Sequence, residues 1–181
     1  LKGADTHERK GPTRITQSGL VSLSTMKKAI FLILIVTACL GIYLVYQGGI
    51  YIALLLALAL LLAILYTAGP YPLAYVGLGD LFVLLFFGPV AVMGTYFLQT
   101  QFLSWEGLWI GVAAGALSTA ILCVNNLRDI NEDRVANKKT LAVRFGACFA
   151  KVEYVVCLLT AAIVPLFFIK THPYSLVSIL F

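Results

Sequence analysis

NNLRDINEDRVANKKTLAVRFG, residues 125–146, follows an apolar run at 107–124 and interleaves acids and amides with Arg128, Arg134, Lys138, Lys139 and Arg144. No Pro or Gly occurs between Ala116 and Ala136, so a helix starting near Gly107 is expected to continue through the stretch. On such a helix Asn125, Asp129 and Asp133 recur every four residues and form one stripe, each side chain about 6 Å along the axis from the last. Carboxylate and amide oxygens in that pattern suit Mg²⁺, which takes one or two carboxylates and completes its shell with water and phosphate oxygens. The basic side chains nearby match the same phosphates. These residues therefore read as a Mg²⁺–diphosphate site. The competing reading is a solvated loop of mixed charge, which the four-residue spacing disfavours.

Outward from this stretch the chain is strongly apolar. Hydrophobic residues make up 61% and charged residues 12% of the sequence, about half the charge of a soluble domain. Mean hydropathy is +0.96. Apolar runs at 29–46, 50–66, 81–97, 107–124 and 152–169 are each just long enough to cross a hydrocarbon core of about 30 Å. The expected fold is an all-α polytopic bundle with five complete spans, and residues 175–181 open a sixth. The first run follows a long charged segment and precedes four more runs, so it does not read as a secretory signal.

The basic residues set the expected orientation. Lys2, Arg9, Lys10, Arg14, Lys27 and Lys28 lie in 1–28, and Arg128, Arg134, Lys138, Lys139, Arg144 and Lys151 in 125–151, leaving only Lys170 elsewhere. Five spans put 1–28, 67–80 and 125–151 on one side, which the positive-inside rule makes cytoplasmic. The net charge of +5 thus reports topology and phosphate binding, and nucleic acid is not an expected partner. Cys39, Cys123, Cys148 and Cys157 have no C-x-x-C spacing and read as free packed thiols.

Taken in order, 1–28 reads as a loop in which Asp5, Arg9, Lys10 and Arg14 are either an acid with phosphate clamps or ordinary loop charge. The first two spans form a hairpin turning at Gln47-Gly48-Gly49. Tyr66 ends the second span, as an interfacial anchor or a substrate contact. In 67–80, TAGPYPLAYVGLGD, two prolines forbid a continuous helix, and Tyr71 and Tyr75 would suit an aromatic ligand at the membrane surface. Asp80 reads equally as a helix cap or a ligand. Gly88-Pro89 predicts a kink in the third span. Gly111, Gly115 and Ser118 predict a small-residue face for close packing of the fourth.

These segments carry a resemblance. NNLRDINEDRVANKKTLAVRFG resembles the second aspartate-rich motif of the UbiA superfamily of intramembrane prenyltransferases, most nearly the bacterial 1,4-dihydroxy-2-naphthoate prenyltransferases of menaquinone synthesis. KGADTHERKGPTRITQSGL is similar to the region after that family's first motif, and YTAGPYPLAYVGLGDLFV to its middle cytoplasmic loop. The resemblance implies nine spans, of which this chain would supply the third to the seventh. It is identified as one prenyltransferase domain over 1–181, truncated at both ends, in the bacterial cytoplasmic membrane. It implies that Mg²⁺ and basic side chains assist departure of the diphosphate from a polyprenyl diphosphate. The allylic cation is then captured by a ring carbon of 1,4-dihydroxy-2-naphthoate, whose carboxylate is lost to give demethylmenaquinone.

By position, Asn125, Asp129 and Asp133 fall on metal-binding residues of the second motif and Asp5 on the last acid after the first. Tyr66 joins Asp129 and Asp133 as a catalytic candidate. Asn126, Arg128, Lys138, Lys139, Arg14 and Asp80 are the substrate-binding candidates. Asn137 stands where the family has Gly. The core of the first motif would precede Leu1, so the chain by itself is expected to be inactive. Other aromatic acceptors such as 4-hydroxybenzoate stay open, as does a cation transporter, although the spans carry almost none of the mid-membrane polar groups a transporter needs. Prenyl length and oligomeric state are not legible.

Overall fold

The computed structural model describes residues 15–16 and 18–179; the candidates Asp5 and Arg14 lie outside them. The described residues are helical and contain no strand. Helix α1 spans Leu23–Thr67, α2 Gly79–Leu85, α3 Ala91–Thr100, α4 Trp105–Arg128, α5 Ile130–Val135 and α6 Leu141–Ile163. A π-turn at Phe86–Val90 joins α2 to α3, and 3₁₀ turns at Val164–Phe168 and Pro173–Ile179 follow α6. Among the described residues, four helical stretches are long and apolar enough to cross a membrane: Leu23–Thr67, Gly79–Thr100, Trp105–Arg128 and Leu141–Phe168.

The 45 residues of α1 would make a rod of about 67 Å if straight. They do not. Gly49 has φ 64° and ψ −152°, a region open almost only to glycine. A Cβ on Gly41 would touch the Leu56 side chain, although fifteen residues of straight helix would separate the two by about 22 Å. The helix therefore folds back at Gly48-Gly49 into legs 23–48 and 50–67, the expected hairpin. Only Gly41, Gly48 and Ile52 are buried in α1, so both legs are apolar all round and face outward, as membrane helices do.

Helix α4 is the one the others pack on. Its buried residues Gly107, Gly111, Gly115, Thr119 and Cys123 recur every four, with Ala116, Ala120 and Asn126 beside them. This stripe admits another backbone at contact distance. A Cβ on Gly88 would lie 2.6 Å from the Gly111 carbonyl and 2.7 Å from the Gly115 Cα, and one on Gly111 2.7 Å from the Pro89 Cα. Gly88 leaves helical geometry at φ −120° and ψ −112°, so the expected Gly88-Pro89 kink is the point at which the third span lies against the fourth. Ser118 is half-buried and hydrogen-bonds its own helix at the Ala114 carbonyl, 3.0 Å away.

Three expectations are corrected. The helix does not run unbroken to Ala136: α4 ends at Arg128, and Asp129 has φ −95° and ψ 15°. Arg128 grips the neighbouring Asp129 with two bonds, of 2.6 and 2.8 Å. Adjacent side chains do not face each other on a regular helix, so this local grip and the bend accompany one another. Hydrogen bonds from Asp129 N–H to Asn125 O (3.0 Å) and from Asp133 N–H to Asp129 O (2.8 Å) nevertheless keep the three residues on successive turns. Next, residues 125–151 are not a loop but mostly helix, with Ala136–Thr140 as the connection, since charged residues continue a helix as readily as apolar ones. Lastly, α1 begins at Leu23, within the expected 1–28 loop, where Ser22 Oγ accepts the Thr25 N–H at 3.1 Å.

Candidate functional site

One end of the bundle gathers the close of α1, the start of α2, the close of α4 and the connection before α6. Pro70 and Pro72 keep 68–78 out of helix, and this segment returns the chain so that Asp80, in the first turn of α2, sits beside α4. Asp80 is buried, 4% exposed, and its Oδ1 accepts a hydrogen bond of 3.2 Å from Nδ2 of Asn126, itself 5% exposed. The N-cap of α2 is Leu78, so Asp80 is not the expected cap; its carboxyl group is instead a buried hydrogen-bond partner of α4.

Around this pair Tyr66, Ala74, Gly77, Gly79, Leu122, Lys138 and Thr140 line a polar cavity of about 20 Å³, large enough for one water molecule. Tyr66 also borders a much larger apolar cavity of about 470 Å³, walled by Ala59, Leu62, Ala63, Leu73, Phe82, Val83, Phe86 and Phe87. The phenol thus stands between an aromatic-lined space and a set of polar groups. Asp133 is also buried, at 7% exposure, and Lys138 Nζ donates to both of its oxygens at 3.3 and 3.1 Å. Asn137, at φ 54°, turns the chain so that Lys138 can return to Asp133; Asn tolerates this left-handed geometry, as expected where the related motif has Gly.

The candidates therefore divide into two groups. Tyr66, Asp80, Asn126 and Lys138 converge on the polar cavity, with Asp133 joined through Lys138. Asn125 and Asp129 are half-buried at the bend of α4, where Asp129 is held by Arg128. Lys139 points outward, but its backbone N–H donates to the Tyr75 carbonyl at 2.9 Å. Arg144, read as a phosphate ligand, donates to the carbonyls of Val76 (2.7 Å) and Lys139 (3.1 Å).

Sequence reasoning missed three residues here. Thr140 is 3% exposed; its Oγ1 caps α6 by accepting the Val143 N–H at 3.3 Å, and its type just before a helix was a readable signal. Cys123 and Glu153 are the others. Together with Asp80 they bring a thiol and two carboxyl groups within 4.8 Å of one another. Nothing in the spacing of residues 80, 123 and 153 signals that convergence, which arises from α2, α4 and α6 packing together.

The donor chemistry separates the two acidic groups. Asn125, Asp129 and Asp133 offer oxygen donors, the type a hard divalent ion takes. The Asp80–Cys123–Glu153 cluster includes a sulfur, which Mg²⁺ does not favour.

A model of the UbiA prenyltransferase family matches residues 3–181. A 1,4-dihydroxy-2-naphthoate octaprenyltransferase of Haemophilus influenzae is 39% identical over 99% of this chain and 60% of its own length. The Escherichia coli protein of the same description is 40% identical, over 91% of this chain and 55% of its own length. A 2-carboxy-1,4-naphthoquinone phytyltransferase of Synechocystis is 36% identical over 51% of this chain and 30% of its own length. The chain thus spans about three-fifths of the length of the first two relatives. No solved structure matches it. Family proteins generally use a divalent metal, and four long apolar helices make this a multi-pass membrane protein. A membrane bundle with a buried polar end, matched over nearly its whole length by one family model, belongs to the UbiA prenyltransferase family.

Proposed function

We propose that the protein transfers a polyprenyl group from polyprenyl diphosphate to 1,4-dihydroxy-2-naphthoate, with loss of the ring carboxylate, in menaquinone biosynthesis. The carrying observation is the position of Tyr66, between the 470 Å³ apolar cavity and the polar cavity of Asp80, Asn126 and Lys138. Such a junction suits a reaction between an apolar chain and a hydroxylated ring. The relatives support the acceptor: two are described by dihydroxynaphthoate and octaprenyl transfer, and a third joins a phytyl group to a carboxynaphthoquinone.

In the reaction the allylic C–O bond breaks and diphosphate leaves with the electron pair. A ring carbon forms the new C–C bond, and the ring's C–carboxylate bond breaks to release carbon dioxide. The product is the quinol form of demethylmenaquinone. Asn125, Asp129 and Asp133 would hold Mg²⁺, whose charge offsets that of the departing diphosphate. Arg128 and Lys138 each hold one of these carboxylates and would share their charge with phosphate oxygens. Tyr66 and the phenylalanines of the apolar cavity keep water from the reacting carbon. The catalytic end faces the cytoplasm of a bacterial cell, where the basic residues concentrate.

Membranes containing the full-length protein test this reading by prenylation of 1,4-dihydroxy-2-naphthoate, with and without Mg²⁺, for wild type and Asp129→Ala. Metal-dependent product that disappears in the variant is expected. Unchanged activity in Asp129→Ala overturns the metal assignment, and transfer only to another aromatic acceptor overturns the pathway.

A further inference from the structure

We propose that Arg144 is a positioning residue, which clasps segment 75–77 onto the 138–140 turn and thereby sets Lys138 and Thr140 against the polar cavity. The inference rests on the transferase reading for its kinetic arm and on geometry alone for its structural arm.

Three contacts make the clasp. The Lys139 N–H donates to the Tyr75 carbonyl at 2.9 Å. Arg144 then bridges the two segments: Nε donates to the Lys139 carbonyl at 3.1 Å and the terminal nitrogen to the Val76 carbonyl at 2.7 Å. Gly77 follows at φ +79°, so close that a Cβ there would lie 2.6 Å from the Lys139 carbonyl and 3.1 Å from Arg144 Nε. Gly77 is therefore required twice, for its backbone conformation and for lack of space.

The consequence lies on either side of Lys139. With Lys139 tied by its backbone and its side chain outward, Lys138 and Thr140 line the cavity that Gly77, Gly79, Asp80 and Asn126 complete. Both of these contacts end on neutral carbonyls, and one planar guanidinium fork makes them together. An ammonium at the end of a lysine chain is a single point donor that does not reproduce the fork.

The sequence reading of Arg144 was a phosphate ligand, and the two roles separate under Arg144→Lys. A phosphate ligand acts by charge, which lysine retains; the clasp acts by geometry, which lysine loses. In membranes carrying the full-length protein, Arg144→Lys and Arg144→Gln are expected to lower kcat to a similar extent, on the order of tenfold, the scale of two hydrogen bonds. KM for the polyprenyl diphosphate should shift alike in the two variants, because the clasp sets Lys138, a donor contact. Gly77→Ala should act in the same direction, and Gly77→Ala/Arg144→Lys should be no slower than the slower single variant, because both release one contact. In parallel, limited trypsin digestion of inside-out vesicles should cut faster after Lys139 in Arg144→Lys and in Gly77→Ala. A wild-type rate in Arg144→Lys combined with a raised donor KM in Arg144→Gln overturns the proposal in favour of a phosphate ligand. Multiplicative losses in the double variant, or unchanged cleavage after Lys139, also overturn it. Should the wild-type protein transfer no prenyl group to any aromatic acceptor, the functional reading fails, and the cleavage rates still decide the clasp.

Discussion

Replacing Asn126 by Ala removes the hydrogen bond donated to Asp80 and leaves a carboxyl group that is 4% exposed without that donor. Two magnitudes compete. Interhelical hydrogen bonds within membrane proteins average about 0.6 kcal/mol, because the alternative states also find partners. Hydrogen bonds to charged groups are worth about 1.5–3 kcal/mol, and an unsatisfied buried group adds its desolvation. Asp80 and Asn126 are both almost fully enclosed, and the cavity beside them holds one water at most, which replaces the lost donor only in part, so the loss falls between the two estimates. The expected loss is about 2 kcal/mol, about a thirtyfold change in the folding equilibrium. Asn126→Asp should be worse, since it sets two carboxyl groups where a 3.2 Å hydrogen bond stood. Exchanging the pair, Asp80→Asn with Asn126→Asp, restores one donor facing one acceptor and should recover much of that loss. Thermal unfolding of the detergent-solubilised full chain, read by fluorescence-detected gel filtration, supplies the four stabilities. An Asn126→Ala loss below about 0.5 kcal/mol, or an exchanged pair no more stable than Asn126→Asp alone, refutes the reasoning.

Other expectations follow from the same geometry. Gly115→Ala should destabilise by about 1–3 kcal/mol, because the new Cβ meets the Leu84 carbonyl and lies 3.0 Å from the Gly88 Cα, both backbone atoms that cannot rotate away. Ser118→Ala in the same unfolding assay should stay within about 0.5 kcal/mol, since its hydroxyl bonds only its own helix. Gly49→Val should cost about 1–3 kcal/mol through backbone strain, for nothing lies within 4 Å of a Cβ there; an unaltered melting temperature would count against the fold-back. Lys138→Met removes one ion-pair partner of the buried Asp133 carboxylate, and should lower stability while raising the KM for polyprenyl diphosphate; a changed melting point with unchanged KM would assign Lys138 to structure alone.

Much of the site was legible as residues and little of it as geometry. Asp80, Asn126, Tyr66 and Lys138 were all candidates from sequence, yet their meeting around one cavity depends on 68–78 folding back beside α4, which no local pattern encodes. The contacts of Arg144 were hidden for the same reason. A basic residue near a diphosphate motif reads as charge, while its partners are carbonyls 5 and 68 residues away in sequence. Glu153 lay within an apolar run and attracted no notice until helix packing placed it beside Asp80 and Cys123.

The sequence by itself determined the all-helical membrane class, the hairpin at Gly48-Gly49, the kink at Gly88-Pro89 and the small-residue face at Gly111 and Gly115. These are properties of runs, breakers and periodicities, which act over a few residues and need no distant partner. Tertiary structure alone decided that α4 bends at Asp129, that Asp80 is buried against Asn126 and that Arg144 ties two segments together. Each of these depends on which backbone lies opposite, and close approach between helices is settled by the packing of the whole bundle.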